Sequence, residues 1–258
     1  MSAGVSGAAI AGNTVREALR NRLMYAIFAV STLVTLASVA ISTLSYVEGT
    51  RIMQDFAFAT MRMFTVGTAI LLGINLLHRE VERRTLYTIL SRPLSRTTFL
   101  LGKYAGLVAT TWLMLLCMAI VFGAVSWSAG ATLHLGHVAA VTMLAVEMSI
   151  VVGIAILFSS FTTPMLASLF TISFYAVGHL SQNLLRLTSA TDDPAVREIG
   201  TWLYRVLPDL QIYDLSIEAV HGLAIPAADL GWPVLYALAY ASLLLLLASA
   251  LFSSRDLR

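Results

Sequence analysis

The chain has 258 residues, of which 58% are hydrophobic and only 12% charged, with a formal net charge of +2. A soluble domain carries about 25% charged residues, so this composition excludes a soluble globular domain and points to a polytopic membrane protein. The single cysteine, Cys117, excludes a disulfide framework or a cysteine zinc site within one chain, and no nucleic-acid partner is expected.

Residues 10–22, IAGNTVREALRNR, predict an amphipathic interfacial helix. Asn13 or Thr14 can cap it, with Ile10, Val15, Ala18 and Leu19 facing lipid and the arginines facing headgroups. The apolar run at about 23–44 exceeds the roughly 7–15 residues of a signal-peptide core, so it reads as the first membrane span. Further spans follow at about 57–77, 104–126, 138–160, 165–183 and 233–252. Blocks of about 20 apolar residues give enough helix to cross about 30 Å of hydrocarbon. Arg62 lies inside the second span. The fifth is polar for a span, with Ser168, Thr171, Ser173 and His179; Pro164 suits its first turn, capped by Thr162 or Thr163. Gly102 and Gly106, spaced as GxxxG near the start of the third span, read as a close-packing pair.

Two connecting segments carry structure of their own. Between the second and third spans lies HREVERRTLYTILSRPLSRTTFLLGK, residues 78–103. A helix is predicted over 79–91, with Val81, Thr85, Leu86, Ile89 and Leu90 along one side. Pro93 ends it at or before Arg92, and Ser95 or Thr97 leads into the third span. Residues 184–232 are too long for a structureless connection. Asp193 is expected to cap a helix opening at Pro194, with Val196, Ile199, Trp202, Leu203 and Val206 on its apolar face. Pro208 stops that helix, and a second short one is expected from about Tyr213 to Val220, closed by Gly222. Together these predict a cap lying on the outer mouth of the spans.

Eleven of the sixteen Lys and Arg residues fall on the N-terminus, the 78–103 segment and the C-terminal tail. The positive-inside rule therefore predicts both termini in the cytoplasm, consistent with an even number of spans. The fold class is an all-α polytopic membrane protein: six transmembrane helices, an N-terminal interfacial helix and a cytoplasmic helix after the second span.

Glu147, near the middle of the fourth span, is the sharpest single residue, since a charge at that depth costs about 2.5–3.5 kcal/mol on insertion scales. It is expected to face the bundle interior, a water-filled path or a cation, with Arg62 as its partner. A pathway or gating role, a buried structural pair and a protonated Glu bonded to a neighbouring span all stay open. His134 and His137 read as solvated loop histidines, with no metal site expected; His179 and His221 read as isolated. Trp127, Trp202 and Trp232 read as packing or interfacial anchors.

Glu82-Arg83-Arg84-Thr85-Leu86, then Ser91-Arg92-Pro93-Leu94-Ser95-Arg96, then Leu101-Gly102-Lys103, resembles the first cytoplasmic loop of type-2 ABC exporter permeases. The entry Val15-Arg16-Glu17-Ala18-Leu19-Arg20-Asn21-Arg22 and the outer Leu207-Pro208-Asp209-Leu210 are similar to further elements of that family. The likeness is greatest to the branch that includes permeases linked to multi-copper enzyme maturation. Arg84 departs from the Gly that many members carry there.

The resemblance implies a single permease domain over residues 1–258 in the bacterial cytoplasmic membrane. It implies a second permease copy, most simply in a homodimer, two separate ATPase subunits and surrounding membrane lipid. It also implies an ATPase-coupling set of Glu80, Glu82, Arg83, Arg84, Thr85, Leu86, Ile89, Leu90, Pro93, Arg96 and Lys103. The chain has no GxxxxGK[ST] phosphate loop, because Gly102-Lys103 is followed by Tyr104 without the upstream glycine spacing. It is therefore expected to bind no cofactor and not to be an enzyme, with ATP and Mg held by the ATPase. Three functions compete: an exporter permease, the same architecture transmitting force to an extracytoplasmic partner without transport, and an intramembrane enzyme. The last would need paired carboxylates, a Ser-His pair or a metal cluster within the spans.

Overall fold

The computed structural model describes residues 3–43, 48–82, 96–189, 191 and 193–254. Among them the elements are all helical: α1 (Ala3–Leu19), α2 (Arg22–Ser42), α3 (Gly49–Glu82), α4 (Arg96–Ser128), α5 (Leu135–Phe161), α6 (Pro164–Ser189), α7 (Pro194–Val206), α8 (Ser216–His221) and α9 (Gly231–Ser254), with 3-10 turns at Gln211–Tyr213 and Ala227–Leu230. Six stretches are long and apolar enough to cross a membrane: Arg22–Ser42, Gly49–Ile74, Thr97–Ser128, Leu135–Phe161, Pro164–Asn183 and Ala227–Leu251. The protein is thus an all-α polytopic membrane protein with six candidate spans.

α5 is the central helix. It packs against α3, α4, α6 and α9 and is apolar all round, with Met148, Ile150, Val151, Val152, Ile154, Ala155 and Ile156 almost wholly buried. A helix hydrophobic on every face is one surrounded by protein or lipid. Small residues let its neighbours approach: a Cβ added at Gly73 of α3 would lie 2.8 Å from the Ala155 Cβ. The hydroxyls of Thr60, Thr65 and Thr68 on α3 donate to carbonyls one turn back, so they meet no lipid unsatisfied. α2, α6 and α9 are the least enclosed spans and present Leu33, Met165, Leu169 and Leu246 on their free faces.

The N-terminal helix begins earlier than the sequence pattern predicts, at Ala3, so Asn13 and Thr14 lie inside it rather than at its cap. Asn21 is the capping residue, and it caps the next helix: its side chain accepts from the Leu23 N–H at 3.1 Å. α1 runs in step along the first turns of α4. Gly7 lies beside Thr98, and added Cβ atoms at Gly102 and Gly106 would stand 2.9 Å from the Ile10 Cβ and 2.6 Å from the Thr14 Cβ. Ala18 is fully buried and Ile10 half-buried, so these two face α4 and not lipid; Leu19 is exposed. The Gly102–Gly106 pair does mediate close packing, and its partner is the N-terminal helix rather than another span.

One boundary also differs from expectation. α3 continues without a break from the second span to Glu82, so the expected helix at 79–91 begins as the end of that span. The remainder of that segment, with Arg83, Arg84, Thr85, Leu86, Ile89, Leu90 and Pro93, lies outside the described residues, as do the side chains of Glu80, Glu82 and Arg96. Lys103 is described, and it is buried against α1 with its Nζ 3.7 Å from Glu17 Oε2.

At the opposite end of the bundle Asp193 caps α7, accepting from the Ala195 N–H at 2.9 Å. Gly222 closes α8 in the left-handed region at φ 67°, a conformation that glycine adopts without a Cβ penalty. The segment between them is no loose lid. Leu210 and Tyr213 are fully buried among Met143, Ile150 and Ile154 of α5 and Ala237 and Leu244 of α9.

Candidate functional site

Glu147 sits twelve residues into α5, about 18 Å along its axis at 1.5 Å per residue. Its side chain is fully buried, as the cost of exposing a charge to lipid requires. The sequence-expected partner is present: Arg62 of α3 places its Nε 3.9 Å from Glu147 Oε2. That is an electrostatic contact beyond hydrogen-bonding range. The stronger bond of Glu147 is with His179 of α6, whose Nε2 lies 2.8 Å from Oε1. His179 is therefore not isolated, because burial in the bundle brings two residues 32 positions apart onto facing helices. Tyr175, one turn earlier on α6, stacks its ring edge-on at 4.7 Å from the His179 ring.

Arg62 has a second and closer partner. Its Nη1 donates to the Asp214 carboxylate, contributed by the segment joining the first 3-10 turn to α8. Asp214 also accepts from the Ser216 N–H at 3.2 Å and from the Ser216 hydroxyl. Burial alone would raise the Asp214 carboxyl, but the Arg62 guanidinium and the Ser216 donors hold it below the ordinary carboxylate range. The site therefore joins three spans and the cap: Glu147 (α5), His179 (α6), Arg62 (α3) and Asp214. Two carboxylates stand around one guanidinium, and the imidazole bonds the more deeply buried of them.

A second polar cluster holds the cap from the side. Asp209 accepts from the Gln182 amide of α6 at 2.9 Å and from the Tyr204 hydroxyl at 3.4 Å, and its backbone N–H donates to the Tyr236 hydroxyl at 3.3 Å. The Leu210 N–H donates to the Gly178 carbonyl at 3.3 Å, and the Tyr213 hydroxyl donates to the Pro233 carbonyl at 2.9 Å. Burial pushes the Tyr213 phenol up from its usual value, so it stays a donor. The Leu-Pro-Asp-Leu element is the structural centre of the cap.

Of the two histidines before and at the start of α5, His134 is exposed, as the sequence pattern predicts, and His137 is not. His137 is buried, with ring centroids 6.1 Å from Phe58 and 5.9 Å from Phe122, and its Nδ1 accepts from the His134 N–H at 3.1 Å. It is an aromatic packing residue rather than a solvated one. Among the described residues no three His, Cys, Asp or Glu side chains converge as a metal site.

Sequence reasoning found Arg62 and Glu147, because charge inside a span is visible by inspection. It missed His179 and Asp214. The available signal for His179 was the unusual polarity of the fifth span. For Asp214 it was the short run Asp214-Leu215-Ser216, a carboxylate two residues ahead of a helix start.

Six apolar helices, three of them joined to a structured cap through a buried charge cluster, make a polytopic membrane protein. Residues 8–257 match the family described as ABC-2 family transporter protein. The chain belongs to that family and is the transmembrane permease subunit of an ABC transporter. No curated protein matches it.

Proposed function

We propose that this permease is the membrane half of an ATP-driven exporter in the bacterial cytoplasmic membrane. In this reading it works as a homodimer, with both termini cytoplasmic and each copy engaging a separate ATPase subunit that holds ATP and Mg. The observation that carries the reading is the order Glu82–Thr85–Pro93–Lys103 between the second and third spans; within the family we place the chain with the multi-copper-maturation branch, which it most resembles. The unbroken run of α3 from span to Glu82 supports it further, since a coupling loop needs a stiff support. Lys103 takes part by tying α1 to α4, while Glu80, Glu82, Arg83, Arg84, Thr85, Leu86, Ile89, Leu90, Pro93 and Arg96 supply the docking surface.

Purification from detergent with the neighbouring ATPase tests this. A stable complex is expected from the unmodified chain, and Glu82→Ala, Arg84→Ala or Thr85→Ala should release the ATPase without loss of the folded permease. Retention of the ATPase by all three variants rejects the coupling assignment.

One observation favours transmission of force to an extracytoplasmic partner as a second reading. The cap segment is bonded through Asp214 directly to a residue inside a span, which gives an outside partner a mechanical route inward. Substrate-dependent flux in proteoliposomes separates the two: flux supports export, and partner-dependent ATPase activity with no flux supports transmission.

A further inference from the structure

The elbow between α1 and α2 encloses a groove of about 820 Å³ lined by Asn13, Arg16, Glu17, Leu19, Arg20 and Tyr25. Its chemistry is divided. Arg16 and Arg20 stand four residues apart at the end of α1, where side chains of a helix lie one above the other about 6 Å apart. Both are exposed, and among the described residues no carboxylate pairs with either. The one acid in the lining, Glu17, is turned toward the buried Lys103 at 3.7 Å. Leu19 and Tyr25 supply an apolar wall, and Tyr25 lies in the first turn of a membrane span with 64% of its surface exposed. Two unpaired guanidiniums above an apolar wall at a span entrance match a charged phosphodiester head above acyl chains.

We propose that this groove is a binding site for one anionic phospholipid of the cytoplasmic leaflet. Arg16 and Arg20 hold its phosphate through charge-assisted hydrogen bonds, and the first acyl carbons lie along Leu19 and Tyr25. The opposite face of α1 is occupied by α4 through Thr14 and Ala18, both fully buried, so the bound lipid clamps α1 from its free side. The leaflet assignment rests on the orientation proposed above; the site itself does not.

Native mass spectrometry of the full-length chain in detergent, titrated with phosphatidylglycerol or phosphatidylcholine, tests the site independently of orientation. The unmodified chain should retain phosphatidylglycerol at least fivefold more than phosphatidylcholine. Arg16→Gln and Arg20→Gln should each remove most of that preference. Arg22→Gln takes away the same charge next to the groove but not within it, and should leave the preference intact. Glycerophosphoglycerol, which has the head but no chains, should compete at least tenfold more weakly than the lipid. Equal retention of the two lipids, equal effects of Arg22→Gln and Arg16→Gln, or equal competition by the chainless head would each overturn the proposal. The leaflet is read separately, by labelling Asn13→Cys in a Cys117→Ala background in right-side-out and inverted vesicles. Labelling from the outside would reject the orientation while leaving the site standing.

Discussion

The two ends of the bundle are joined by different chemistry. At the N-terminal end α1 lies on α4 through small residues, with Gly102 and Gly106 admitting Ile10 and Thr14 to near contact. At the cap end the segment around Leu210–Ser216 is held by the Arg62 guanidinium on Asp214, by the Tyr213 hydroxyl on the Pro233 carbonyl, and by the partners of Asp209. A steric seam has one best arrangement and loses contact steeply when displaced. At the cap end Arg62 hydrogen-bonds Asp214 and stands 3.9 Å from Glu147, so that joint is electrostatic where the other is steric.

The sharpest way to break the contrast is to remove Arg62. Arg62→Met leaves Glu147 buried with His179 and Tyr175 beside it but without its cationic guanidinium, and taking one partner from a buried pair costs about 3–5 kcal/mol. Chemical denaturation in detergent should show that loss, and Glu147→Gln added to Arg62→Met should recover part of it. If the double variant is no better than the single one, the two residues are not coupled. Gly106→Leu attacks the other joint. Overpacking a tight contact costs about 1–3 kcal/mol, and amide hydrogen exchange should rise in α1 while the cap keeps its protection. A parallel rise in the cap would show that the two joints are not independent.

Smaller changes refine the picture. Tyr213→Phe deletes the bond to the Pro233 carbonyl and should cost about 1 kcal/mol, with exchange quickening at Gln211–Tyr213 before anywhere else. The Asp214 carboxyl is held below its unfolded value of about 3.9. Its contribution is therefore complete above about pH 4 and is lost as the pH falls through the lower folded value. Thermal unfolding of the unmodified chain should weaken below about pH 4, and Asp214→Asn should flatten that part of the profile. An unchanged acid limb in the variant would mean that another carboxylate sets it.

The membrane spans were legible because burial in lipid demands long apolar runs, and Arg62 and Glu147 stood out against them. The face of α1 was misread for a physical reason. A helix with arginines on one side satisfies the pattern of a lipid-surface helix, yet Gly7, Ala11, Thr14 and Ala18 also repeat every three or four residues, and that seam of small side chains seeks a helix partner. His179 and Asp214 were not legible as site residues. Their role depends on how α6 and the cap meet α3 and α5, a long-range register that local periodicity does not encode. The boundary at residue 78 was missed because the basic residues after it signal the membrane edge, and a helix passes through that edge without needing to stop.

That unbroken α3 carries Arg62 and Glu82 on one rod, twenty residues and about 30 Å apart at 1.5 Å per residue. A tilt of about 5° around the Arg62 level sweeps the far tip by roughly 2.5 Å over that length. Leverage of this kind needs no relay of side chains through the core. The tie of Arg62 to Asp214 and the helix end at Glu82 therefore belong to one continuous element.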